Sequence, residues 1–211
     1  MSAIDRLACK LDRNDEAPNI ELAEYLSQHE DTAGIREIVE GFTGADNAVA
    51  SDCIKVLYEI GERRPELISA YADDFISGLH SKNNRLVWGS MTALATIAEC
   101  APAPIYEKLP MILAAFEQGS AITADNGVSV LAGLCKADDA YARTIVPILL
   151  DHLRESRPKD IPRYAERASV CFNKDNASAF IEVLEERLPH LAPPGQARIK
   201  KLLKALHTIQ G

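Results

Sequence analysis

Five histidines (His29, His80, His152, His190, His207) and five cysteines (Cys9, Cys53, Cys100, Cys135, Cys171) are the side chains in this chain best suited to metal or nucleophile chemistry. Their spacing argues against both. No histidine has a second His or Cys at a ligand interval, and there is no C-x-x-C pair. The sequence also lacks a glycine-rich phosphate loop and a G-x-S-x-G elbow. The acidic doublets Asp73-Asp74, Asp138-Asp139 and Glu185-Glu186 do not form catalytic pairs, because adjacent helical residues do not share a face. No catalytic residue, cofactor or metal ligand is therefore expected. The histidines read as surface residues, and Cys53, Cys100, Cys135 and Cys171 read as small buried residues on helices.

Charge narrows the range of partners. The 211 residues carry a formal charge of −8, and the sequence pI is near 5.2. Residues 1–60 alone hold 13 Asp and Glu against 5 Lys and Arg, whereas residues 157–211 hold 10 basic against 6 acidic residues. An acidic chain of this kind lacks the broad basic surface that phosphate backbones require, which argues against nucleic acid as a partner. The longest apolar runs, residues 111–116 and 145–150, are far shorter than the roughly 20 residues of a membrane span. The N-terminus shows no basic stretch followed by an apolar one, so the expected address is the cytoplasm.

The elements that must carry any site are helices. Apolar spacing is helical nearly throughout, and the chain is self-similar. The segments 56–62, 93–99, 130–136 and 205–209 share one pattern, with a weaker copy at 168–172. Their last apolar residues, Ile60, Ile97, Leu134, Phe172 and Ile209, stand 37, 37, 38 and 37 residues apart. A second, more variable helix falls between them, over residues 66–80, 105–117, 141–154 and 177–188, so each repeat is a helical hairpin. Pro110 and Pro147 lie inside that variable helix, again 37 apart, and a kink is expected at each.

The register separates core from surface. Three residues before each anchor stand Leu57, Leu94, Leu131, Ser169 and Leu206, and six before stand Ile54, Met91, Val128, Glu166 and Leu203. These rows are expected to pack inward, with Ser169 and Glu166 marking the fourth repeat as the weakest match. Seven before lies a row of mostly small residues, Cys53, Ser90, Gly127, Ala165 and Leu202, as close helix approach requires. The polar positions line up as well. Nine before the anchor are Ser51, Trp88, Asp125, Arg163 and Lys200; eight before, Asp52, Gly89, Asn126, Tyr164 and Lys201; five before, Lys55, Thr92, Ser129, Arg167 and Lys204. Such rows are commonly no more than solvated helix faces. The large amphipathic Trp88 and the change to cations over the last two rungs distinguish this one.

In these repeats the chain resembles the HEAT-repeat (armadillo-like) family, whose units are helical hairpins with a proline-bent first helix and a more regular second one. The resemblance implies an all-α, right-handed α-α superhelix of about five to six repeats. It covers regular repeats over residues 45–211 and degenerate N-terminal helices over residues 1–44, read together as one domain. In such arrays the second helices line a concave groove, which would carry Trp88, Asp125, Asn126, Arg163, Tyr164, Arg167, Lys200 and Lys204 as binding residues. The function so implied is a non-catalytic scaffold for a protein or peptide, acidic where it meets the Arg163–Lys204 end. The alternative is a HEAT-like DNA glycosylase or other nucleic-acid-processing enzyme; the glycosylases of this kind use a groove tryptophan, aspartate and arginine comparable to Trp88, Asp125 and Arg163. A single tryptophan and an acidic N-terminal third count against it.

Overall fold

The computed structural model describes residues 2–210, with side chains through Thr208, so the side chain of the anchor Ile209 lies outside the described residues. Among those residues there are twelve α-helices and no strand. The helices are α1 (Ala17–Gln28), α2 (Thr32–Phe42), α3 (Asn47–Arg63), α4 (Ala72–Gly78), α5 (Asn84–Ile97), α6 (Pro102–Glu107), α7 (Leu109–Gln118), α8 (Ala121–Ala137), α9 (Asp139–Glu155), α10 (Ile161–Ala168), α11 (Ala177–Arg187) and α12 (Pro193–Gln210). The chain forms two compact units, Met1–Val130 and Leu131–Gly211.

In the first unit α3 packs on α1, α2 and α5, and α4 packs on α5. Short polar side chains start these helices. The Asp46 carboxylate accepts from the amides of Ala48 and Val49 at 2.9 and 3.2 Å, Asp31 accepts from Gly34 at 2.9 Å, and Asn83 accepts from Arg85 at 2.9 Å. Each such cap stabilises its helix by about 1 kcal/mol. The inward rows are as expected: Ile54, Leu57, Ile60, Met91, Leu94 and Ile97 are all fully buried. Burying one such side chain is worth about 1.5–3 kcal/mol, so the rows rather than the caps hold the unit together. The small row is also explained, since a methyl group on Gly127 would fall on the Phe116 ring.

The two repeat prolines behave differently. At Pro110 the expected kink is a complete break, because α6 ends at Glu107 and α7 restarts at Leu109 with Pro110 in its first turn, where no intrahelical N–H is needed. Pro147 lies inside α9, which runs on through it. The variable stretch at 66–80 is helical only from Ala72, preceded by 3-10 turns at Pro65–Leu67 and Ser69–Tyr71.

In the second unit α10 packs on α9 and α12, and α11 packs on α9 and α12. Here the fourth repeat departs from the expected register. Helix α10 stops at Ala168 and gives way to a 3-10 turn over Ser169–Cys171. Cys171, 37 residues after Leu134, takes the anchor position in place of Phe172, and Ala168, Ala165 and Tyr164 take the three rows behind it, all buried. Glu166 and Ser169, assigned inward by the sequence pattern, are exposed and half-buried respectively. A carboxylate cannot be desolvated there without a partner, so the helix turns by one residue and buries alanines instead. The additional residue of the 38-residue interval lies after the turn, where Phe172 stacks on Phe180 at 3.9 Å between centroids.

Candidate functional site

The polar ladder differs between the two units. In the first unit it runs over α3, α5 and the start of α8, and it is a connected network rather than a row of separate side chains. Trp88 is half-buried on α5; its ring meets Tyr58 of α3 at 5.9 Å, and the Arg85 guanidinium lies over the ring at 5.9 Å from its centroid. The Asn126 side-chain amide on α8 donates to the Thr92 hydroxyl at 2.7 Å, and Thr92 donates in turn to the Trp88 carbonyl at 2.8 Å. These bonds fix the orientation of Asn126. Gly89, beside Trp88, allows close approach of α3, because a Cβ there would come within 2.8 Å of Ile54. Asp125 is half-buried one residue before Asn126.

Lys55 was expected on the solvent-facing ladder, but its side chain is only 9 % exposed. The ammonium group sits 2.7 Å from Glu59 and 3.2 Å from Glu16, and 4.8 Å above the Tyr58 ring. Burial alone would push the Lys55 pKa down, but its hydrogen bonds to Glu59, Tyr58 and Glu16 outweigh that and hold it above the usual lysine range. Burial likewise raises the Tyr58 hydroxyl. For Glu59 burial acts upward, yet Lys55 and Arg63, the latter 2.6 Å away, keep the carboxyl below its ordinary value. Arg85 reaches Glu16 at 2.6 Å. Sequence reasoning missed Glu16, Tyr58 and Arg85 as parts of this surface; the one readable signal was Glu59 standing four residues after Lys55.

In the second unit the candidate residues are less uniformly placed. The register slip leaves Tyr164 only 4 % exposed, its ring tilted 49° against His152 at 4.9 Å with the Arg163 guanidinium 5.7 Å from its ring centroid. His152 is thus not the surface histidine expected, and burial lowers its pKa. Arg163 donates to Asp160 at 3.2 Å, and the nearly buried Asp160 also holds Arg157 at 2.8 Å. Lys200 and Lys204 are exposed on α12, and Arg167 is half-buried on α10. The exposed residue facing α12 from α10 is Glu166, whose carboxylate takes the Arg198 guanidinium through both oxygens, at 2.8 and 2.5 Å.

The thiols are all free, and Cys53, Cys135 and Cys171 are buried; Cys100, expected buried, is exposed beyond the end of α5. Among the described residues no helix is long and apolar enough to cross a membrane.

No family model and no curated protein matches the sequence. Solved structures do match. One engineered protein is 18 % identical with a TM-score of 0.67 over 99 % of this chain and 98 % of that chain, and a second is 17 % identical with a TM-score of 0.69 over 99 % and 100 %. A designed armadillo repeat protein in complex with the peptide (KR)4 is 14 % identical with a TM-score of 0.68, covering 97 % of this chain and 98 % of that one. At such low identity the likeness shows the fold alone, and that fold, matched over nearly the whole chain, is the helical repeat of the armadillo and HEAT-like kind.

Proposed function

We propose that this chain is a non-catalytic, cytoplasmic interaction scaffold that takes a peptide or protein partner on the ladder face of its second helices. The observation that carries this reading is the Trp88 surface. A half-exposed aromatic flanked by Tyr58 and Arg85, with an oriented Asn126 one repeat on, offers apolar area and a hydrogen-bonding amide together. The complex of a designed armadillo repeat protein with the peptide (KR)4 supports a peptide as the class of partner for such a fold. For the second unit the proposal is an acidic stretch of the partner contacting Arg163, Arg167, Lys200 and Lys204, with the buried Tyr164 backing Arg163 rather than meeting the partner; on the first unit Asp125 joins Trp88 and Asn126. Cations so placed speed and select association more than they stabilise the fold.

The test is selection of binding peptides from a random display library on the full chain, followed by Trp88→Ala and by the pair Lys200→Glu and Lys204→Glu. Peptides that lose affinity at least about tenfold with Trp88→Ala support the face. Selected peptides indifferent to both changes, or tight binding to duplex DNA with a steep salt dependence, would overturn it.

A further inference from the structure

The segment preceding α1 folds back over the first unit. Ala3 and Leu7 are buried, the Ala8 amide donates to Asn19 at 3.0 Å, and the Cys9 amide donates to Asp52 at 2.8 Å. Asp12, at φ 53° and ψ 36°, adopts the left-handed conformation that turns the chain toward the ladder. The turn ends at Glu16, the N-cap residue of α1. A carboxylate at that position would ordinarily accept from the first amides of its own helix. Glu16 makes no such bond; Asp15 accepts from the Ala17 amide at 3.0 Å instead. Glu16 is left to reach residues 39 and 69 positions away, with one oxygen 3.2 Å from Lys55 and the other accepting from Arg85 at 2.6 Å.

The two cations are not equivalent. Lys55, nine-tenths buried, keeps Glu59 at 2.7 Å whatever Glu16 does. Arg85 lies beside Trp88, and its carboxylate is Glu16. The Glu16 side chain is 41 % exposed, so solvent and an incoming group can reach it. An exposed pair of this kind is weakly held, and exchanging one carboxylate for another leaves every buried group satisfied.

On these grounds we infer that Lys55 and Arg85 form a carboxylate-binding notch beside Trp88, that Glu16 fills it as an internal stand-in, and that an Asp or Glu side chain of a peptide partner binds by displacing Glu16. The inference rests on the ladder face being an interaction surface, and it names the chemistry of the partner there. Glu59 stays on Lys55 and Asp52 lies in the same depression as Glu16 and Arg85, so the notch takes one side-chain carboxylate of a peptide at a time. Because Glu16 competes from within the chain, the face is masked in its resting state. Apparent affinity is reduced by the fraction of molecules in which the notch is open.

Trp88 is the single tryptophan and reports directly on the notch. Hexaglutamate peptide is titrated at low salt into the full chain, following tryptophan fluorescence, for wild type, Glu16→Gln, Glu16→Gln with Arg85→Gln, and Glu21→Gln. The last removes the same charge from the exposed face of α1. Glu16→Gln should bind several-fold more tightly than wild type, about fivefold where Glu16 fills the notch four-fifths of the time. Arg85→Gln should abolish that gain, and Glu21→Gln should not reproduce it. A Glu16→Gln variant that binds no better than wild type, a gain matched by Glu21→Gln, or a gain that survives Arg85→Gln overturns the notch. Should Glu16→Gln fail to fold, the 13C resonance of the Glu16 carboxyl in the wild-type chain decides. It must move toward the value of a solvated glutamate as peptide is added, and a fixed resonance overturns the inference. Display-selected peptides that still depend on Trp88 while hexaglutamate shows no gain sink the notch alone; an absence of any Trp88-dependent peptide sinks the interaction face as a whole.

Discussion

The two units carry the same ladder positions and use them in opposite ways. In the first unit the register predicted from the repeats holds. The ladder side chains there are tied into one network by Lys55, Glu59, Glu16 and Arg85, and the aromatic pair Tyr58 and Trp88 lies across it. In the second unit the fourth repeat slips by one residue. Tyr164 turns inward, and Glu166 rather than a cation faces α12 and holds Arg198. A repeat sequence therefore guarantees that a row exists without guaranteeing which residues of a weak repeat belong to it. The cost of burying a carboxylate decides that locally.

The largest expected effect tests the slip itself. Ala168 is 1 % exposed and Ser169 is half-buried, the reverse of the sequence register. Ala168→Asp places an unpaired charge in the core of the second unit and should cost about 3 kcal/mol or more, read as the shift of the urea midpoint at constant slope. Ser169→Asp should cost less than about 1 kcal/mol. Equal effects from the two changes would overturn the slip, and a larger cost for Ser169→Asp would restore the unslipped register.

A smaller effect probes the network of the first unit. Lys55→Ala leaves Glu59 with Arg63 alone and Glu16 with Arg85 alone, and should cost about 1–3 kcal/mol by the same measurement. Acid should weaken the same cluster. The Glu59 carboxyl is held below its ordinary pKa in the folded chain, so its contribution is present above the unfolded value, about 4.3, and is lost as pH falls through the folded one. Urea midpoints measured from pH 6 down to pH 3 should fall less steeply for Glu59→Gln than for wild type. The Lys55 shift acts in the opposite sense: its contribution is present below the usual lysine pKa and is lost only at alkaline pH above it, so it does not contribute to the acid limb.

Most of the fold was legible because packing repeats. The 37-residue interval located the second helices, and the inward rows followed from it by arithmetic. The site was legible only where it repeats too. Trp88, Thr92 and Asn126 came from the register, but Glu16 precedes the first regular repeat and shares no position with any other residue. Its role depends on the Asp12 turn and on Asp15 taking over the cap, which no periodic pattern encodes. Lys55 was misplaced for a related reason. The pattern marks it as polar, and only the carboxylates arriving from α1 and from its own helix allow it to be buried. Tyr164 and Cys100 depended on where a helix ends, and helix ends are the least periodic feature of the chain.

The smallest expected effect on stability separates the cations of the second unit from those of the first. Lys200 and Lys204 are exposed on α12, whereas Arg163 is tied to Asp160, itself 7 % exposed. Replacing Arg163 by Glu would set an anion against that buried carboxylate and confuse folding with binding. Reversing Lys200 and Lys204 to Glu avoids this, because exposed substitutions commonly shift stability by no more than about 0.5 kcal/mol. The double change should leave the urea midpoint almost unmoved while weakening capture of an acidic peptide selected on the wild-type chain, mainly through a slower association that becomes insensitive to salt. The corresponding loss for Trp88→Ala should appear in dissociation instead, because apolar contact forms only after docking. If the lysine reversal leaves association untouched at low salt, the second unit contributes no charge to recognition, and the acidic partner belongs to the Lys55 and Arg85 notch of the first unit alone.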